Sequence, residues 1–407
     1  MVKTFKGKIK HAVKSAIKKG LYRLGFELNR ATFKGLLKNK NFDDGKLHIS
    51  CGSDIRDGYI NCNIRPVPGA DLVCDAWEVS KFVDEKLRLI YARRMLEHMT
   101  LFEIEKTLSD WFDALKIGGE VEIIVPYLPY HIKQFQGAAW SVESLADKTS
   151  GARRGFTGLY GWPDETDPYI HKSGFDENNL KFFLQKAGFA RITAGFLDEA
   201  HLKCRAKKIL NKKERQVTPF IECIRNDHVG RYEFAGKHIE ERSKVLDIAC
   251  GIGYGSRIIA REKELKITAV DIHDGAVEYA KEYYNNGDID FKCRDAFEVE
   301  FASNSFDTIV CFETIEHVEK DEELIKRFYT WLRPSGKLVC SVPNEAVLPF
   351  HKKKFPYHVR HYRFDELSKL VENTGFKISY IGSQHDRNEK AVVDDTKGKF
   401  LILVCTK

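Results

Sequence analysis

Several features are scarce or missing in this 407-residue sequence. No apolar run approaches the roughly 20 residues that a helix needs to cross a bilayer, and no signal-peptide pattern is present, so a spanning or exported protein is not expected. The ten cysteines are scattered without a Cys-x-x-Cys pair, which argues against a small disulfide framework. Cys51 and Cys250 sit inside glycine turns, which suits a reducing cytosol. Acid is almost missing from the first forty residues, where Glu27 stands alone among many lysines and arginines. Without that arm, the formal charge of +7 falls close to neutral, so a general nucleic-acid footprint is not expected.

The arm has a period. Phe5, Ile9, Val13, Ile17, Leu21, Leu24 and Leu28 recur every three or four residues, and Lys6, Lys10, Lys14, Lys18 and Arg23 take other faces. This pattern predicts a basic amphipathic helix over residues 1–40. Such a helix can lie on an anionic membrane surface through residues 1–30, or dock its apolar stripe on a neighbouring domain.

The length allows two or three domains. In the second half, KVLDIAC (244–250) reads as an apolar strand, GIGYGS (251–256) as a glycine turn and KITAVDI (266–272) as a second strand ending on Asp271. DIDFKC, SFDTIVCFE (305–313) and KLVCSVPN (337–344) read as further strands, with helical segments between. Strands alternating with helices predict an α/β, doubly wound sheet with a ligand beyond its carboxyl ends. Gly251 and Gly253 would let backbone approach that ligand.

VLDIACGIGYGS, AVDI, RDAF, FDTIVCFETIEHV and LRPSGKLVCSVPN together resemble the class I S-adenosylmethionine-dependent methyltransferases, over about 220–385. The resemblance implies a Rossmann-like fold. It also implies that Asp247, Gly251 and Gly253 contact the methionine end of the cofactor. Asp271, with Ile272 beside it, would hold the ribose, and Asp295 and Ala296 would border the adenine.

The first half repeats the order: KLHISCGSD (46–54), YINCNIRP (59–66), DLVCDAWEV (71–79), LRLIYARRMLEHM (87–99) and LKIGGEVEIIVPYL (115–128). YGWPDETDPYIHKSGFDENNLKFFLQKAGF then resembles the C-terminal stretch of methyltransferases of glycan gene clusters. The expected organisation is therefore an arm (1–40), a methyltransferase-like domain (41–208), a charged linker (209–219, overlapping KKILNKKERQ at 207–216) and a methyltransferase domain (220–407). Gly52, Asn63 and Asp75 are the cofactor candidates of the first copy. Asn63 stands where the family has its ribose-binding aspartate and lacks the charge that strengthens such bonds. The first copy is thus either an unusual methyltransferase or a non-catalytic module.

One acidic word occurs twice, as ETIEH (313–317) and, shortened, as LEH (96–98). On a helical first turn, Glu313, Glu316 and His317 would face one point. Similar words occur in metal-dependent 3′-terminal ribose 2′-O-methyltransferases of small RNAs and in O-methyltransferases of ubiquinone biosynthesis. In the RNA enzymes a later histidine completes the site, a place His358 of PYHVR would take here. Glu313, Glu316, His317 and His358 would then bind Mg²⁺, Mn²⁺ or Zn²⁺. The other readings are His317 as a metal-free general base, assisted by Glu316, and a structural role. Arg94, three residues before Glu97, would repel a cation from the first copy.

The leading expectation is a cytoplasmic enzyme, peripheral at the inner membrane face, that methylates a hydroxyl of a sugar or glycan intermediate, mainly in its C-terminal domain. The rivals are methylation of an RNA 3′-terminal ribose and a cofactor-binding scaffold without turnover.

Overall fold

The computed structural model describes residues 45–83, 87–161, 170–212, 215–261 and 263–407. The chain divides into two compact units between Asn211 and Lys212. The arm (1–40) expected to be an amphipathic helix lies outside the described residues, as does 162–169 of the glycan-cluster word. No helix among the described residues is long and apolar enough to cross a membrane.

The first unit has seven strands: β1 (Lys46–Ile49), β2 (Ile60–Asn63), β3 (Leu72–Val73), β4 (Leu87–Arg93), β5 (Leu115–Pro126), β6 (Ala190–Asp198) and β7 (His201–Lys207). The second repeats them as β8 (Lys244–Ile248), β9 (Lys266–Asp271), β10 (Ile289–Cys293), β11 (Phe306–Phe312), β12 (Leu332–Pro343), β13 (Lys377–Gln384) and β14 (Phe400–Thr406). Spatial order is β3-β2-β1-β4-β5-β7-β6 in one sheet and β10-β9-β8-β11-β12-β14-β13 in the other. Five strands of each run parallel, and β7 and β14 pair antiparallel with both neighbours. The two sheets are doubly wound Rossmann-like folds, as expected, and each is mixed because of its C-terminal hairpin.

The elements follow from side-chain period. In Leu101–Ala114, Ile104, Leu108, Trp111 and Phe112 are buried at helical spacing. Thr100 and Glu103 close its N-terminus with reciprocal side-chain-to-backbone bonds. Asp321–Trp331 opens on three acids, which suits the positive end of its dipole, and buries Leu324, Ile325, Phe328 and Trp331. β8 and β11 are nearly continuous apolar runs because helices cover both faces of their sheet. Each unit has its own core, around Leu47, Ile90 and Trp111 in the first and Leu246, Ile309 and Phe328 in the second.

The KKILNKKERQ stretch is not solvated throughout. Lys207 closes β7, and buried Lys208 donates from Nζ to the Leu115 carbonyl at 2.7 Å. Ile209 and Leu210 are also buried.

Candidate functional site

In the second unit the polar groups gather at the carboxyl ends of β8, β9 and β11, where the strand order reverses. Asp247 is fully buried within β8 and accepts from Ser256 Oγ at 2.6 Å and from the Tyr232 hydroxyl at 3.5 Å. Burial pushes its carboxyl up to about 7, against the pull of those two hydrogen bonds. Beyond β8 the backbone turns left-handed at Ala249, Gly251 and Gly253 before the helix Tyr254–Ile259.

The two glycines act differently. A Cβ on Gly251 would meet only Arg215, at 3.8 Å, so that side of the turn is open. A Cβ on Gly253 would strike Ala280 and Phe291 at 2.7–2.8 Å. Gly253 is thus also needed for packing, beyond any part of the turn in approaching a ligand.

Asp271, at the tip of β9, accepts from the Gly251 amide at 2.8 Å and the His273 amide at 2.9 Å. Arg215 Nη1 also reaches its two oxygens, at 3.2 and 3.3 Å. Ile272 beside it is 64% exposed. Asp295 accepts from the Phe297 amide at 2.8 Å, and Ala296 packs against the core edge. The structure brings Asp247, Gly251, Asp271, Ile272, Asp295 and Ala296 to one edge of one sheet.

The acidic word follows β11. Glu313 is left-handed (φ +49°) and precedes a 3-10 turn, Ile315–His317. That bend separates Glu313 from its neighbours and gives it to others: its Oε1 pairs with Arg231 Nη1 at 2.9 Å and accepts from Ser341 Oγ at 2.8 Å. Glu313 is thus removed from the expected four-ligand set, because the word does not form an α-helical first turn.

Glu316, His317 and His358 do converge, with one ligand atom from each within 4.8 Å of the others. Glu316 is fully buried, and among the described residues no side chain donates to either of its oxygens. Burial and then the Glu313 charge hold its carboxyl well above the usual range. His317 Nδ1 lies 3.1 Å from the Tyr357 carbonyl. His358 Nδ1 lies 2.8 Å from His361 Nε2, and His361 Nδ1 lies 2.6 Å from the Leu348 carbonyl. Carbonyls only accept, so in the neutral rings Nδ1 of His317 and His361 carries the proton. His361 Nε2 is then the acceptor for His358 Nδ1–H. Both His317 and His358 then carry no proton on Nε2.

At the β1–β2 edge the first unit reproduces the strand register of this site but neither its helix nor its chemistry. His48 takes the place of Asp247, Asp54 that of Gly253 and Asn63 that of Asp271 (β1 and β8 pair with their neighbours in the same register). No helix follows the turn: the 50–59 connection runs straight to β2. Gly52 is left-handed with no atom within 4 Å of an added Cβ. Asn63 donates to the Arg65 carbonyl at 2.9 Å, and Asp75 precedes the 3-10 turn Ala76–Glu78. Ile64 is 62% exposed, as Ile272 is.

At the other edge the copy is close. Arg94 (φ +53°) stands where Glu313 stands, followed by the 3-10 turn Leu96–His98. Its guanidinium turns to His201 Nε2, at 2.9 Å from Nη2. Glu97, His98 and His171 converge within 4.8 Å, as their counterparts do. Arg94, expected to repel a cation here, does not keep the three side chains from converging; its guanidinium turns to the β6–β7 turn, and its charge still acts on Glu97.

Residues 246–340 match the family model described as a methyltransferase domain. A ubiquinone biosynthesis O-methyltransferase of Coxiella burnetii is 32% identical over 165 residues, covering 37% of this chain and 68% of that protein. The chain belongs to the class I S-adenosylmethionine-dependent methyltransferases. Phosphoethanolamine N-methyltransferase 1 of Zea mays is 27% identical over 371 residues, covering 81% of this chain and 67% of that relative. Other phosphoethanolamine N-methyltransferases are matched over less of their length, 30% of one from Triticum aestivum and 20% of one from Arabidopsis thaliana. Among solved structures, a Haloferax volcanii methyltransferase complexed with its Trm112 activator is similar at TM-score 0.39 and 19% identity, over 45% of this chain and 89% of that one.

In the second unit an acidic acceptor at the tip of β9, an open Gly251 face and an exposed isoleucine lie together at one sheet edge. Sequence reasoning missed Arg231, Ser341 and Tyr232, which hold Glu313 and Asp247, and Arg215, which holds Asp271. Asp227 and Arg231, four apart and both buried, were the available signal, since buried charges are paired.

Proposed function

We propose that the second unit transfers a methyl group to a hydroxyl of a sugar or glycan intermediate. In this reading Asp271 receives the ribose hydroxyls of the cofactor. Asp247 and the 249–253 turn border its methionine end, and Ile272, Asp295 and Ala296 border its adenine. S-adenosylmethionine supplies an electrophilic methyl on a sulfonium, so positioning of the acceptor carries much of the rate. The chain's task is to orient the hydroxyl and remove its proton.

The observation that carries the reading is the Glu316–His317–His358 cluster beside that edge. His317 is the more exposed imidazole, and its bare Nε2 can take a hydroxyl proton. The imidazolium so formed would lie 3.9 Å from Glu316 Oε1, which favours the ionised carboxylate and holds the charge. The same three groups would suit Mg²⁺, Mn²⁺ or Zn²⁺, an ion that acidifies a bound hydroxyl. Contact of residues 1–30 with an anionic membrane is part of this proposal and is supported by their basic amphipathic spacing alone.

A second reading, methylation of an amine such as phosphoethanolamine, is favoured by the long match to the Zea mays enzyme. Incubation of the full chain with methyl-labelled cofactor separates the two. Label transferred to cell-envelope saccharides supports the hydroxyl reading, and label on phosphoethanolamine with none on saccharides overturns it.

A further inference from the structure

The first unit carries a cluster that its divergence from the cofactor-binding pattern leaves unexplained. Glu97 is 2% exposed, and its Oε2 has no hydrogen-bond partner among the described residues. His98 Nδ1 lies 3.2 Å from the Ile170 carbonyl, and His171 Nδ1 lies 2.9 Å from the Gly158 carbonyl. Each carbonyl can only accept, so each imidazole keeps its proton on Nδ1 and turns a bare Nε2 inward. Two imidazole lone pairs and a carboxylate oxygen thus meet with no donor among them. One proton cannot serve them all, because His98 Nε2 and Glu97 Oε1 are 4.0 Å apart, beyond hydrogen-bond range.

We infer that the first unit binds a divalent transition-metal ion, Zn²⁺ by ligand type, through Glu97, His98 and His171. Two histidines and one carboxylate are a zinc set that leaves a fourth position open. Zinc bonds of about 2.0–2.2 Å place ligand atoms roughly 3–4 Å apart, so side-chain adjustment alone closes the present spacing. The two backbone carbonyls are the kind of support that fixes metal-bound imidazoles. The frame is tied by main chain: the amides of Lys172 and Ser173 donate to the Glu97 carbonyl at 2.7 and 3.1 Å. That clamp holds the segment carrying His171 against the turn carrying Glu97 and His98.

The open position has somewhere to face. A cavity of 250 Å³ is lined by Glu97 and His171 together with Lys172, Ser173, Pro126 and Leu128. It suits a small ligand that gives an oxygen to the metal beside a short apolar wall. The first unit is then a metal-binding module in its own right, and this inference does not depend on the reaction proposed for the second unit.

The test uses the full chain carrying His358→Ala, which disables the equivalent cluster of the second unit. After chelation and reloading, elemental analysis should find one zinc per chain. Cobalt in its place should give visible ligand-field bands and two exchangeable, paramagnetically shifted N–H resonances, one from each Nδ1–H. Adding His98→Ala or His171→Ala should abolish the bands and weaken zinc binding at least about tenfold. Should an alanine variant lose its circular dichroism, His171→Cys decides. A new thiolate-to-cobalt charge-transfer band supports the site, and its absence overturns it. Failure of the His358→Ala chain to bind zinc, or bands unchanged by both alanine substitutions, would also overturn the inference.

Discussion

The two units share one topology and differ at one edge. At the carboxyl ends of β8 and β9, Asp247, Gly253 and Asp271 build an acidic turn that leads into a helix. At the same places on β1 and β2 stand His48, Asp54 and Asn63, with no helix after the turn. At the end of β4 and β11 the opposite holds. A left-handed residue, a 3-10 turn and a buried Glu followed by a His are repeated, each clamped by two amides from a later segment. The nucleotide edge and the acid–histidine edge of this fold are therefore separable. Residue identity can drift at one while backbone and side chains persist at the other, because they hang on different strands.

The largest expected effect sharpens the second unit's side of the comparison. His317→Ala should lower turnover by about 10²–10⁴-fold, the range for a general base, while Glu313→Gln should cost far less because Glu313 faces Arg231. Single-turnover kinetics would check this, and a larger loss at Glu313 than at His317 would break it.

Next is the pair that replaces Arg94. Arg231 is buried between Glu313 and Asp227; Arg231→Met leaves the part-buried Glu313 without its cation, while Asp227 keeps Arg225, and should destabilise the second unit by about 1–3 kcal/mol. Arg94→Met removes an exposed contact and should cost the first unit under about 1 kcal/mol. Hydrogen exchange resolved along the chain under denaturant would read both.

A smaller effect tests the nucleotide edge. Asp271→Asn makes the second unit resemble the first and should weaken cofactor binding roughly tenfold, since charged acceptors bond about twice as strongly as neutral ones. Asn63→Asp should not create binding in the first unit, where His48 and Asp54 remain. Calorimetry with the cofactor would decide, and binding restored by Asn63→Asp alone would show that the edge had not diverged in geometry.

The smallest effect is a difference in pH slope. Asp247 has its carboxyl raised by burial to about 7 from an ordinary 3.8, so the native state holds more protons than the unfolded one between those values. The second unit should lose stability as pH rises through that window. His48 is buried and lowered from 6.5, by burial first and then by Arg56. Its unfolded form takes up the proton first, so the first unit should lose stability as pH falls below about 6.5. Asp247→Asn should flatten one slope and His48→Gln the other, as read by unfolding of each segment across pH.

Much of this was legible in order and spacing. The glycine turn, the aspartate about 20 residues on and the buried apolar runs are local consequences of strand and helix periods, and they located β8, β9 and β11. The C-terminal hairpins β6–β7 and β13–β14 did not announce themselves, because antiparallel closure depends on partners far along the chain. The shortened word LEH looked like a broken copy for a similar reason. Its third member, His171, lies about 70 residues away and meets it only through the Glu97 carbonyl clamp.

The sequence by itself determined two doubly wound units, their order, and which turn of the second carries an acidic acceptor. Those depend on period and residue type, which a linear pattern records. Tertiary structure alone decided the partners of the charged groups. It gave Glu313 to Arg231, Asp271 to Arg215 and Arg94 to His201. It made Gly253 a packing residue, and it brought a Glu–His–His cluster together in both units. Burial and distance set those pairings, and neither is a property of any stretch of chain taken alone.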